Sequence, residues 1–167
     1  MKIELVDLVD KTGTIQKQKI LRKDADSHNG LYLPIIIGVI FNPNGEILVQ
    51  KRALAKKVNP GDIDLICGGI RSGETPEEAA IREAIEETGI APTDLQIIAQ
   101  GVNNYNRYRY LLIGNSSEDP NIFNPEEVEW VRFIHLDELR AKSDSKEFTY
   151  VNEFFEVIEL AKKYLKC

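Results

Sequence analysis

Residues 68–90 read GGIRSGETPEEAAIREAIEETGI, and the architecture of the chain turns on this stretch. Thr75 can act as an N-cap, Pro76 suits the first helical position, and Glu78 at the third completes a capping box with Thr75. Gly89 can close the helix in the left-handed conformation. The spacing therefore predicts a helix over 76–88. At the helical period Ala80, Ile81, Ala84 and Ile85 fall toward one side, where they are expected to pack on a sheet, and Glu83, Glu86 and Glu87 project from the other. Like charges three and four residues apart destabilise a helix by roughly 0.2–0.5 kcal/mol per pair, so something must offset this cluster. Arg82 can neutralise one carboxylate. A hard divalent cation does so better, because Mg²⁺ takes oxygen ligands and prefers a few carboxylates with waters and substrate phosphate. A solvated acidic face is the plain alternative.

Around this helix the chain reads mainly as strands. Ile3 to Val9 and Thr14 to Leu21 alternate about the turn Lys11-Thr12-Gly13, which predicts an N-terminal hairpin. Leu33 to Phe41 and Glu46 to Lys51 flank the turn Asn42-Pro43-Asn44-Gly45, and Ile63 to Cys67 reads as a short buried strand running into Gly68-Gly69. After the helix, Leu95 to Gln100, Arg109 to Ile113 and Glu129 to Ile134 read as strands, and Phe148 to Leu165 as an amphipathic helix. Strands joined by short turns and mixed with helices predict an α+β sandwich rather than a doubly wound sheet.

The spacing Gly68-x5-Glu74-x7-Arg82-Glu83-Ala84-x-Glu86-Glu87-x-Gly89-Ile90 resembles the Nudix box of the Nudix hydrolase (MutT-like) superfamily. At roughly one in fifteen per fixed letter, its seven exact letters coincide on the order of once in 10⁸ starting points, which sets chance aside. The resemblance implies a mixed β-sheet sandwiched between helices, with the box at 68–90 inside one domain over 1–167 and a hairpin at about 1–30. It implies a pyrophosphohydrolase that cleaves a nucleoside diphosphate linked to another moiety, or a related organic diphosphate. Mg²⁺ is the implied cofactor, with Mn²⁺ as an alternative. Glu83, Glu86 and Glu87 match the metal-binding and base glutamates, with the Cys67 carbonyl as a further metal ligand, and Gly68, Glu74, Arg82 and Gly89 match structural positions. The general base stays open between Glu83 and an acidic residue of a later loop, where Glu126, Glu127 and Glu129 precede Trp130 and Glu127 is favoured. Homodimers are common in the superfamily, which makes a homodimer an option here.

Two basic segments are candidates for substrate contact: Arg107 and Arg109 among the tyrosines of Asn103 to Tyr110, and Arg52 in the cluster Lys51, Arg52, Lys56 and Lys57. A strand with exposed Arg alternating with Tyr, and a solvated turn, are the simpler readings. The hairpin, Gln50-Lys51-Arg52, Pro60-Gly61 and Cys67-Gly68 also resemble the branch near isopentenyl-diphosphate isomerase, which uses a cysteine just before the motif glycine. Its following histidine is Gly69 here, and of its N-terminal histidines at most His28 remains. Isomerase chemistry is thus an alternative, as is a non-catalytic binding module, although the box glutamates are intact. In the first case Cys67 is a functional thiol, in the plain case a small buried hydrophobe.

Composition bounds the rest. The 167 residues are 43% hydrophobic and 29% charged, enough for a packed core, and 27 acidic against 21 basic residues give a formal net charge of -6. That charge disfavours a nucleic-acid polymer as partner but not one phosphorylated small molecule. Pro34 and Gly38 break the longest apolar run, so no membrane span is expected, and the acidic start after Met1-Lys2 does not read as a signal peptide. Cys67 and Cys167 offer neither a disulfide framework nor zinc spacing, and a cytoplasmic location is the expectation.

Overall fold

The computed structural model describes residues 3–121 and 124–166, so the readings made on Met1, Lys2 and Cys167 lie outside the described residues. The chain forms β1 (Leu5–Val9), β2 (Ile15–Leu21), β3 (Leu33–Phe41), β4 (Ile47–Arg52), β5 (Ile63–Asp64), β6 (Ile66–Gly69), α1 (Pro76–Thr88), β7 (Thr93–Val102), β8 (Arg107–Asn115), β9 (Val128–Ile134), α2 (Leu136–Asp144) and α3 (Phe154–Leu165). A 3₁₀ turn over Arg22–Ser27 follows β2.

Seven strands form one mixed sheet in which β3 runs parallel to β8 and the other pairings are antiparallel. Its centre is written in the sequence of β3. Ile36 and Ile40 pack with Leu48, Ile66, Leu112 and the alanines of α1 on one face; Val39 and Phe41 pack with Ile47, Val49, Leu111 and the apolar residues of α2 and α3 on the other. Alternate side chains point to opposite faces, so a run apolar at both parities needs cover on both sides, and the helices supply it. This is the α+β arrangement expected from the sequence.

The sheet also splits. β3 and β4 meet at the single pair Phe41–Ile47 beside their turn, after which β3 takes β6 as its antiparallel neighbour and β4 takes β9 and β5. The segment read as one strand over 63–67 is correspondingly two, with Ile63–Asp64 on β4 and Ile66–Gly69 on β3. One edge strand cannot bond two diverging neighbours, so it breaks at Leu65.

β1 and β2 form the expected N-terminal ribbon. It docks through Val6 beside Arg71, Val9 beside Tyr32 and a small core of Val6, Leu8, Ala25 and Leu33. At the other end, the helix read over 148–165 begins only at Phe154. Ile63 donates to the Thr149 carbonyl and Val151 to the Ile63 carbonyl, so this segment runs extended along β5, and Glu153 then sits at φ 64° before the helix. Helix α2 was not read from the sequence at all. Among the described residues no helix is long and apolar enough to cross a membrane.

Candidate active site

The helix that carries the glutamates is capped as the sequence dictates. The Thr75 hydroxyl accepts the Glu78 backbone N–H, the Glu78 carboxylate accepts the Thr75 N–H, and Gly89 takes φ 74°. Its orientation departs from the expected one. The buried face is Ala79, Ala80, Ala84 and Thr88, whereas Ile81 and Ile85 are exposed. Small residues let α1 lie close on the sheet, and in the same i, i+4 row as Ala79 come Glu83 and Glu87. These two carboxylates therefore turn toward β6 instead of solvent, and only Glu86 is well exposed.

Gly68 on β6 makes this possible, since a Cβ there would overlap the Glu83 carboxyl. Arg82 braces the assembly with a paired grip on Glu74 (Nε–Oε1 2.6 Å, Nη2–Oε2 2.8 Å), a bond to the Gly69 carbonyl (2.9 Å) and another to Glu83 (2.6 Å). Two parallel N–H···O bonds to one carboxylate make the Arg82–Glu74 contact the most directional of these. The Arg82 Nη1 also lies 3.6 Å from Glu86, which bonds Arg71 at 3.3 Å.

Glu87 has a different environment. Its carboxylate accepts the buried Gln50 amide at 2.8 Å and the Cys67 backbone N–H, and among the described residues no basic side chain pairs with it. Burial first, then the nearby Glu83 and Asp64 charges, push its pKa well above the ordinary carboxylate range. Burial likewise raises Glu83, with Arg82 opposing and Glu86 adding to the rise. Burial and the Asp64, Glu87 and Glu83 carboxylates push the Cys67 thiol up as well, which keeps it protonated.

These groups line a cavity of about 860 Å³. Its floor is Cys67, Gly68, Glu83, Glu86 and Glu87; one wall carries Arg52, Lys56, Asn124 and Glu127, and another carries Glu4, Arg22 and Arg71. Ile35 and Ile85 add apolar surface. Of the three loop glutamates, Glu127 lines the cavity, 3.5 Å from Lys56, whereas Glu129 pairs with Lys51 at 3.1 Å and neither it nor Glu126 is part of the lining. Arg52 is present but committed, to Asp64 at 3.0 Å and to the Val58 carbonyl at 3.0 and 3.1 Å. Arg107 and Arg109 do not line it, being paired with Asp26 at 2.9 Å and Glu153 at 3.0 Å.

The carboxylate oxygens of Glu83, Glu86 and Glu87 are the kind of donor a hard divalent cation takes. Among the described residues, no group of three or more acidic, histidine or cysteine side chains is drawn together closely enough to hold a metal ion. Glu83 and Glu86 turn to Arg82 instead, leaving an open arrangement that suits an ion sharing its coordination with water and phosphate.

Several residues of the site were not read as site residues from the sequence. Gln50 and Asp64 had a signal, being polar residues within the apolar runs of β4 and β5. Glu4, Arg22 and Asn124 had none nearby, because long-range docking brings them in.

The chain is similar to known proteins. A sequence model of the NUDIX domain matches residues 31–153. An uncharacterized Nudix hydrolase of Yersinia pestis is 33% identical over 153 residues, 88% of this chain and 80% of that protein. Isopentenyl-diphosphate Delta-isomerases of Salmonella strains are 46% identical over 57 residues, a match confined to 34% of this chain and 32% of the isomerase. Among solved structures, a protein of Deinococcus radiodurans superposes with TM-score 0.72 at 24% identity, covering 94% of this chain and 99% of that one. The NUDIX domain of Shewanella oneidensis NrtR, complexed with ADP ribose, superposes with TM-score 0.64 at 16% identity over 85% and 93% of the two chains.

Proposed function

The chain belongs to the Nudix hydrolase family, and on that premise we propose that it is a Mg²⁺-dependent enzyme cleaving the diphosphate linkage of a nucleoside diphosphate derivative or a related organic diphosphate. The observation that carries this reading is the row Glu83 and Glu87, turned inward over Gly68 onto the floor of a cavity whose two walls bear Arg and Lys. Acidic residues alone would repel a diphosphate. A cation held on the floor and basic walls together accept one.

Glu83, Glu86, Glu87 and the Cys67 carbonyl would hold the cation. Bound there, it would neutralise charge on the phosphoryl oxygens and lower the pKa of the attacking water. The residues of the chain divide the remaining work. Gln50 and the Cys67 N–H fix the direction of Glu87. Arg82, locked to Glu74, sets the rotamer of Glu83 and limits repulsion between Glu83 and Glu86. Glu127, half exposed on the wall beside Lys56, is the residue proposed to take the proton from water, with Glu83 as the alternative base. Lys56 and Arg52 line that wall for the phosphate oxygens. The substrate is small, and the enzyme is proposed to work in the cytoplasm.

A second reading, isopentenyl-diphosphate isomerisation, is favoured by the 57-residue match and by Cys67 at the cavity floor. One panel separates the two: organic diphosphates, including nucleotide sugars, dinucleoside polyphosphates and isopentenyl diphosphate, incubated with Mg²⁺ or Mn²⁺. The expected result is release of monophosphate or phosphate from at least one of them. Isomerised isopentenyl diphosphate without hydrolysis supports the second reading, and no product from any compound supports a binding module.

A further inference from the structure

Arg22 stands out among the cations of the cavity. It begins the 3₁₀ turn after β2, in the N-terminal ribbon and upstream of residues 31–153 that match the NUDIX domain. Its place is nonetheless fixed by the fold. The Arg22 N–H donates to the Glu4 carbonyl at 3.0 Å, Ser72 donates to the Leu5 carbonyl at 2.8 Å, and Gly73 donates to the Asp7 carboxylate at 3.2 Å. These bonds tie the ribbon to the loop leading into α1, and so hold Arg22 against the cavity.

Its side chain lies over Gly69. A Cβ on Gly69 would stand 2.5 Å from the Arg22 Nη1 and 3.1 Å from Cζ, so the glycine leaves the space the guanidinium occupies. Lys56 has a single, longer pair with Glu127 at 3.5 Å, whereas each arginine of the cavity other than Arg22 has more than one partner. Arg52 is held by Asp64 and the Val58 carbonyl, Arg71 by Glu86 with Glu4 beyond it, and Arg82 by Glu74 and Glu83. Arg22 has one ion-pair partner among the described residues, Glu4 at 3.0 Å, and its side chain is 42% exposed. An exposed pair of this kind is weak, and a guanidinium matches two phosphate oxygens at once, so exchanging Glu4 for a phosphate is favourable.

We propose that Arg22, in the space left by Gly69, is a phosphate-binding and specificity-determining residue contributed by the N-terminal ribbon, gripping the substrate phosphoryl group on the ribbon side of the cavity. Glu4 holds the guanidinium until phosphate replaces it. The inference rests on the reading of this cavity as a diphosphate site.

The test is a comparison of KM and kcat for Arg22→Ala, Arg22→Lys and Gly69→Ala on the diphosphate turned over fastest by the wild type. Arg22→Ala is expected to raise KM about tenfold or more while kcat stays within about threefold, with Arg22→Lys recovering part of the loss. Gly69→Ala should raise KM through the same guanidinium, which a new methyl group displaces without a strained backbone. An unchanged KM in Arg22→Ala overturns the proposal. If the wild type hydrolyses no diphosphate, the hydrolase reading fails separately, and calorimetry with inorganic pyrophosphate and Mg²⁺ decides this one. At least about tenfold weaker binding by Arg22→Ala supports it; equal binding, or none to the wild type, overturns it.

Discussion

Glu87 shows what a single residue of this site costs and gives. Its carboxylate is withdrawn from water, accepts only neutral donors from Gln50 and Cys67, and feels the charges of Glu83 and Asp64. A buried charge without a counter-charge opposes folding. Glu87→Gln, which keeps the shape, is therefore expected to raise the melting temperature of the metal-free protein by about 2–4 °C, the shift about 1 kcal/mol produces in a domain near this size. A melt of the two proteins with chelator present checks it, and a lower melting temperature in the variant would contradict it. At this scale the sequence was informative where neighbours are local. Glu83, Glu86 and Glu87 share one helix with Arg82, so spacing placed them together, while Glu74 joined them only through the resemblance to the Nudix box. The burial of Glu87 ran against that reading, because it depends on alanines allowing α1 close to β6 and on Gln50 from a strand thirty-seven positions away. Arg22 was silent for the same reason.

Among the elements, the ribbon is the one whose docking matters most for the site. Asp7 on β1 accepts from the Lys19 and Gly73 backbone and from Ser72, and although its burial raises the pKa, these bonds together bring it below the ordinary 3.8. The folded-state pKa is thus depressed. Its contribution is fully present above about pH 3.8 and is lost as pH falls through the lower folded value. Asp7→Asn is expected to flatten the acid limb of the stability curve below that pH, leaving the neutral plateau lower and its slope unchanged. Urea unfolding at a series of pH values measures this, and an acid limb as steep as that of the wild type would contradict it. Helix α1 was legible to the residue because its caps are in the sequence. Helix α2 was not, since of its nine residues only Leu136 and Leu139 are buried hydrophobics and His135 makes no side-chain cap bond. At the start of the helix read over 148–165, Phe148, Tyr150, Phe154 and Phe155 instead form an aromatic chain with its first part extended on β5.

For the molecule as a whole, the net charge of -6 conceals a sorted surface. The cavity gathers acidic groups on its floor together with two pairs of cations, Arg52 and Lys56 from β4 and the loop after it, and Arg22 and Arg71 from the ribbon and the loop leading into α1. The split arises because β3 and β4 part after Phe41–Ile47, and that divergence opens the site beside β6. An apolar, β-branched β3 covered on both faces could be read from sequence; the divergence could not, because it depends on which strand each edge chooses. The inward glutamates of α1 are proposed to drive diphosphate hydrolysis. The most direct measurement is kcat of Glu83→Gln against wild type at saturating Mg²⁺ on one diphosphate, with matched melts to show both are folded. A fall of at least about 10²-fold is expected, the scale of losing a catalytic charged group; a wild-type-like kcat in the folded variant would contradict the claim.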